Sequence, residues 1–172
     1  MKENLVKKVE VFANIAIIAV ALIIGGVIVK KYFFSEQQNQ PKETISIGAK
    51  VNLNQVDWAK NGHTLLLVLS KDCHYCAESV PFYQKLAKEL SQNAKVKLIA
   101  AFPEDKAVAG EYLQSNNVAV SEIYQASAPS LGVRGTPTIL LINEKGEVVE
   151  NWLGKLPEGD EKKVFERLKS VS

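Results

Sequence analysis

The chain has only two cysteines, and they stand three positions apart in the segment Cys73-His74-Tyr75-Cys76. The residues before them, Thr64 to Leu69 (TLLLVL), form a short continuous apolar run, which predicts a strand buried on both faces of a sheet. The residues after them carry apolar side chains at helical spacing, at Val80, Tyr83, Leu86, Ala87 and Leu90. The pair is therefore predicted at a strand-to-helix junction, where C-x-x-C is typical of a redox dithiol.

Further strands are predicted by apolar runs and by one turn signal. These strands cover Val96–Phe102 (VKLIAAF), Thr138–Ile142 (TILLI) and Val148–Leu153. The polar stretch Asn143–Gly146 (NEKG) predicts a tight turn that joins the last two strands into a hairpin.

Two more helices are predicted, over Glu104–Ser115 and over Asp160–Leu168, with Asp160 as the N-cap of the second. The resulting order is strand, helix, strand, helix, strand, strand, helix. A parallel crossover followed by an antiparallel pair predicts a mixed-sheet α/β domain, which we assign to residues 51–172.

The position of the cysteines predicts their separate roles. A sulfur at the start of a helix lies near unpaired backbone N–H groups and the positive end of the helix dipole, which stabilise a thiolate. Cys73 is therefore the expected nucleophile. Cys76, three positions later, is within reach to attack a mixed disulfide formed on Cys73, and is the expected resolving thiol.

The segment from about Val51 to Val171 resembles the thioredoxin superfamily, especially its membrane-anchored TlpA/ResA-like redoxins. The resemblance rests on Cys73-His74-Tyr75-Cys76 after a buried strand, on Pro81 five positions beyond Cys76, and on Gly132-Val133-Arg134-Gly135-Thr136-Pro137-Thr138. It implies a thioredoxin-like mixed β-sheet flanked by helices. It also implies a kink at Pro81 in the first long helix.

The resemblance further implies how substrate is bound. Pro137 is expected to follow a cis peptide bond beside the dithiol, and Thr136 to line the substrate groove. His74 and Tyr75, between the two cysteines, are expected at the rim of the same groove. Tyr75 either stacks on substrate or only covers the rim.

Two positions depart from the family pattern. Thioredoxins usually place Trp before the first cysteine, where this chain has Asp72, a carboxylate that opposes thiolate formation unless it caps the helix. They also carry a buried Asp six positions before that cysteine, where this chain has Leu67. Glu78 or water is then left to take the proton of Cys76. A protonated His74 would stabilise the Cys73 thiolate and make the disulfide more oxidising.

The N-terminal region is predicted to anchor the chain in a membrane. Val11 to Val29 contains no charged residue, and as a helix it spans roughly 28 Å, close to bilayer thickness. A cleaved signal peptide is the alternative, but no A-x-A-like site follows the run. We expect a transmembrane helix within residues 1–34, a polar linker over 35–50, and a catalytic domain on the extracytoplasmic side of the cell membrane.

The remaining expectations concern chemistry and partners. The formal net charge of +2, with bases and acids interleaved, gives no reason to expect nucleic acid. No organic cofactor or metal is expected, although a structural disulfide and copper binding through the two thiolates stay open. The expected partners are protein thiols or disulfides and a membrane redox partner. The favoured activity is reduction of client disulfides; an oxidase or isomerase, and a non-enzymatic binding module, are the alternatives.

Overall fold

Five strands form one mixed sheet in the computed structural model, which describes residues 45–92 and 95–171. The strands are β1 (His63–Val68), β2 (Val96–Phe102), β3 (Glu122–Gln125), β4 (Thr138–Ile142) and β5 (Val148–Leu153). Their order across the sheet is β3-β2-β1-β4-β5. β2 pairs in parallel with β1 and β3, whereas β4 is antiparallel to β1 and β5. The predicted mixed sheet, with a parallel crossover and a final hairpin, is confirmed.

The helices follow the strands in the expected alternation. They are α1 (Trp58–Asn61), α2 (His74–Glu78), α3 (Val80–Ser91), α4 (Lys106–Ser115) and α5 (Glu158–Ser170), with a 3-10 turn at Pro129–Leu131. The kink expected near Pro81 is a break at Ser79, which ends α2 and precedes α3. Pro81 lies in the first turn of α3, where its missing N–H leaves no helical hydrogen bond unmade.

β1 is the centre of the fold because both of its faces are buried. Leu65 and Leu67 belong to a core that α3, α4 and α5 cover, and Leu66 and Val68 belong to a second core on the opposite face. Residues 45–56 and 128–133 supply the covering side chains of that second core. A strand with period-2 side chains buried on both sides must be apolar throughout, which accounts for the run TLLLVL.

Three local predictions need correction. The last helix begins at Glu158 rather than Asp160, because Pro157 is its N-cap and the Pro157 carbonyl accepts from the Asp160 and Glu161 amides. α4 begins at Lys106 rather than at Glu104, because Asp105 caps it and accepts from two backbone amides at 2.9 and 3.0 Å. β3 was not predicted, since it is a four-residue edge strand with one buried side chain.

Residue 45, six positions before the predicted start of the domain, already packs against the described fold. Ile45 is buried and its amide donates to the Gly132 carbonyl at 3.0 Å, and Lys50 forms an antiparallel bridge with Glu147. The predicted transmembrane segment Val11–Val29 lies outside the described residues. Within 45–92 and 95–171, no helix has both the length and the apolar character needed to cross a membrane.

Candidate active site

Strand register brings four loops together at one end of the strands of the sheet. At this end Val68, the last residue of β1, pairs with Ala101 of β2 and with Thr138, the first residue of β4. Thr138 also pairs with Leu153, the last residue of β5. The loops that follow β1, β2 and β5 and the loop that precedes β4 therefore all meet there. The cysteines follow β1, so we call this end of the sheet the cysteine edge.

The two cysteines form a disulfide at the start of α2, with their Cα atoms 5.2 Å apart. Cys73 is the N-cap, and its Sγ accepts a hydrogen bond from the Cys76 amide at 3.1 Å. Cys73 is partly exposed, whereas Cys76 is completely buried. An attacking thiolate can therefore reach the Cys73 sulfur but not the Cys76 sulfur. The N-cap is Cys73 itself, so Asp72 does not cap the helix and lies exposed beside it.

His74 and Tyr75 project outward from α2. The side chain of His74 is 77% exposed, and Tyr75 is among the few large apolar residues of the described chain that lie exposed. His74 Nε2 is 3.1 Å from Glu78 Oε1, and Lys155 Nζ donates to Glu78 Oε2 at 2.9 Å. Lys155 comes from the loop after β5, so this pair ties that loop to α2.

Glu78 is held in its charged form by these two partners. The hydrogen bond from Lys155, with smaller contributions from the charges of Lys155 and His74, keeps the pKa of the Glu78 carboxyl below its usual value. The Glu78 charge therefore offsets the positive charge of a protonated His74. A carboxylate engaged in this way is poorly placed to take a proton from Cys76, whose side chain is buried in the core.

The loop before β4 places the other predicted site residues at the cysteine edge. The Thr136–Pro137 peptide bond is cis, as the resemblance implied. Pro137 is buried and its carbonyl accepts from the Gly154 amide at 2.8 Å, while Thr136 is partly exposed. Thr138 Oγ1 donates to the Gly135 carbonyl at 2.7 Å and closes the loop. The roles of these residues, and of His74 and Tyr75, in substrate binding stay predictions.

One residue of the site was not found by sequence reasoning. Glu104, two positions after β2, accepts hydrogen bonds on Oε1 from Ser70 Oγ at 2.9 Å and from the Lys71 amide at 3.0 Å. Ser70 and Lys71 belong to the turn that leads into Cys73. These bonds join residues more than thirty positions apart in the sequence, and no local motif predicts them.

Leu67 is wholly buried in the same apolar core as Cys76, so this position supplies no acid or base. Within residues 45–92 and 95–171, no three His, Cys, Asp or Glu side chains are grouped so that they can hold a metal ion.

A partly exposed sulfur at a helix N-cap, a buried second sulfur and a cis-proline loop on the same sheet edge define a thioredoxin-like redox protein. The Redoxin family model matches residues 35–168, so the chain belongs to the Redoxin family. It is a thioredoxin-like thiol–disulfide oxidoreductase with the pair Cys73 and Cys76. No curated protein sequence matches the chain at a significant level.

Solved structures share the fold at low sequence identity. The thiol:disulfide interchange protein DsbE from Chlorobium tepidum is 15% identical with a TM-score of 0.60, over 74% of this chain and 99% of its own. The thioredoxin domain of a thiol-disulfide oxidoreductase from Bacteroides vulgatus is 14% identical with a TM-score of 0.54, over 76% and 99%. A thiol-disulfide isomerase from Corynebacterium glutamicum is 17% identical with a TM-score of 0.53, over 78% and 97%.

We predict that Glu78→Gln raises the reduction potential of the disulfide. The variant removes the charge that offsets Lys155 and a protonated His74, so these cations then stabilise the Cys73 thiolate of the reduced protein. For exposed charges the expected shift is on the order of 10 mV toward the oxidising side. It is measured by equilibration in glutathione buffers at low ionic strength. Glu89→Gln, near the far end of α3, makes the same charge change and should leave the potential unmoved; a shift of equal size there would contradict the local explanation.

Proposed function

We propose that the protein is a membrane-anchored reductase of disulfides in extracytoplasmic protein clients. The observation that carries the proposal is the unequal exposure of the two sulfurs: Cys73 is accessible at the N-cap of α2, whereas Cys76 is wholly buried. A nucleophile must reach its substrate, and a resolving thiol must reach only the nucleophile. The arrangement meets both requirements with residues three positions apart.

The reductive cycle balances with the two cysteines alone. The Cys73 thiolate attacks one sulfur of a client disulfide, which forms a mixed disulfide and releases the other client sulfur as a thiolate. Cys76 loses its proton to solvent or a nearby base and attacks the Cys73 sulfur. This step closes the Cys73–Cys76 disulfide and releases the second client thiolate, so two electrons pass to the client. A membrane dithiol donor then reduces the pair again.

The charges around Cys73 favour the reducing direction. A strongly oxidising disulfide needs a reduced form in which the thiolate is well stabilised. Here Glu78 offsets the charge of His74 at 3.1 Å, and Asp72 adds a second carboxylate directly before Cys73. Both carboxylates reduce the stabilisation of the thiolate.

The runner-up is an oxidase or isomerase, and one observation favours it: His74, between the two cysteines in sequence, begins α2 and has an exposed side chain. A client that displaced Glu78 from His74 would shift the couple in the oxidising direction. The reductase proposal and this alternative use the same two cysteines and differ in their reduction potential.

The anchor is argued from the sequence of residues 11–29. An uncharged stretch of that length with lysines on both flanks suits a single-pass helix, and the polar linker that follows gives the domain reach. Anchoring confines the domain to clients and redox partners near the membrane and so raises their effective concentration.

Serine substitutions test the separate roles of the cysteines. Cys73→Ser should abolish reduction of a protein disulfide such as that of insulin, because the accessible nucleophile is lost. Cys76→Ser should retain the first attack but accumulate a mixed disulfide with the substrate, seen as a mass increase that dithiothreitol reverses. Adducts through Cys76 in the Cys73→Ser protein, at a similar rate, would contradict the assignment.

Thiol labelling tests the proposed location, since these two cysteines are the only ones in the sequence. After treatment of intact cells with a membrane-impermeant phosphine, a membrane-impermeant maleimide should label the full chain, and the labelled protein should resist extraction from membranes by carbonate. The double variant Cys73→Ser/Cys76→Ser controls for unspecific labelling. Labelling only after cell lysis would contradict an extracytoplasmic domain, and release by carbonate would contradict the anchor.

A further inference from the structure

Glu104 is a charged residue of the cysteine edge that the proposed chemistry leaves without a role. It lies two positions after β2 and outside α4, which Asp105 caps. Its Oε1 accepts from Ser70 Oγ and from the Lys71 amide, and its side chain is only partly exposed. Hydrogen bonds to a carboxylate are stronger than those between neutral groups. Glu104 therefore fixes the turn between β1 and α2 from a neighbouring strand.

The hydrogen bonds continue from this turn to the reactive cysteine. The Ser70 carbonyl accepts from the Cys73 amide at 3.3 Å, and Ser70 Oγ accepts from the Asp72 amide at 3.3 Å. Before the turn, the Leu69 amide still donates to the Ala101 carbonyl of the sheet at 2.9 Å. Glu104 thus holds the chain in place beyond the point where the β1–β2 ladder ends. Ser70 connects this contact to Cys73 through its carbonyl.

Burial of the second carboxylate oxygen of Glu104 carries a cost in folding free energy. Glu104 Oε2 is buried and has no hydrogen-bond partner among the described residues, and the same holds for the Tyr112 hydroxyl. Burial, and secondarily the negative charge of Glu104, raises the pKa of Tyr112, so the Tyr112 hydroxyl lies close enough to Glu104 to be affected by its charge. A buried polar atom without a partner opposes folding. The two bonds to the turn are the compensating interaction that the structure provides.

We propose that Glu104 is a positioning residue that holds the Ser70–Lys71 turn so that Cys73 stays at the N-cap of α2. There the Cys76 amide, 3.1 Å from the Cys73 sulfur in the disulfide, can donate to the thiolate of the reduced protein. Without Glu104, only residues that flank the turn, such as Leu69, connect it to the sheet. The Cys73 thiolate then loses part of the stabilisation that the Cys76 amide provides. The consequence for client reduction rests on the proposed function, whereas the consequence for the Cys73 thiol does not.

The test is the pH profile of Cys73 alkylation by iodoacetamide in the reduced full chain, with the modified residue identified by mass spectrometry. Glu104→Ala removes both bonds, and we expect the alkylation rate at pH 6 to fall about three- to tenfold as the apparent pKa of Cys73 rises. Glu104→Gln should recover part of the rate, because an amide oxygen can accept the same two hydrogen bonds without the carboxylate charge. A general loss of folding stability would not produce this recovery together with a shifted thiol profile.

The matched control is Glu111→Ala, an exposed glutamate on α4, which should follow the parent profile. An unchanged Cys73 profile in folded Glu104→Ala would overturn the proposal, and so would a Glu104→Gln profile equal to that of Glu104→Ala. Should Glu104→Ala fail to fold, Ser70→Ala decides: it removes the Ser70 bond to Glu104, together with the bond that the Asp72 amide donates to Ser70 Oγ, and should give a shift in the same direction. No shift would overturn the proposal. If the parent protein reduces no client disulfide, the proposed function fails while the alkylation profile still tests Glu104.

Discussion

The reactivity of this protein depends on one hydrogen bond, from the Cys76 amide to the Cys73 sulfur at the first turn of α2. The bond exists because β1 ends at the cysteine edge and α2 begins six positions later, so that a sulfur occupies the N-cap position. The same helical turn that exposes the first sulfur buries the second. The two sulfurs are thus distinguished by backbone geometry, one partly exposed and the other buried.

The rest of the fold keeps that turn in place. β1 is buried on both faces and paired on both sides, so its end cannot move without disturbing two cores. The loop before β4 and the loop after β5 then join each other through Pro137 and Gly154, and Lys155 joins α2 through Glu78. The cysteine edge is consequently built from loops, but each loop is fixed to a strand of the sheet. Such a scaffold suits thiol chemistry, in which small displacements of a sulfur change reactivity.

The sequence predicts well those elements whose environment leaves a periodic signal. The bounds of β2, β4 and β5 are confirmed residue by residue, because each of these strands is either a buried apolar run or one arm of a hairpin. β3 leaves no such signal, because it is an edge strand with only one buried side chain, and apolar and polar residues therefore alternate little along it. The cysteine roles and the cis bond before Pro137 come from motif spacing and family resemblance, and the structure agrees on the disulfide and the bond.

What sequence reasoning missed are contacts between distant segments. The start of the fourth helix was placed at Glu104, and this error of two positions hid the residue that reaches the turn before Cys73. The effect of His74 looks oxidising when read alone, although the i,i+4 spacing already places Glu78 beside it on a helix. Nothing nearby in sequence indicates that Lys155 also engages Glu78, and this tertiary contact completes the charge balance of the site.

The reduction potential of the Cys73–Cys76 couple tests the account most directly. The purified protein would be equilibrated in thiol–disulfide buffers of known potential, and the fraction of disulfide read by alkylation and mass. We predict a reversible two-electron couple near about −270 mV, in the range of reductants such as thioredoxin. A value between roughly −120 and −180 mV would contradict the reductase proposal in favour of an oxidase or isomerase, and the absence of any reversible couple would contradict the redox role of the pair.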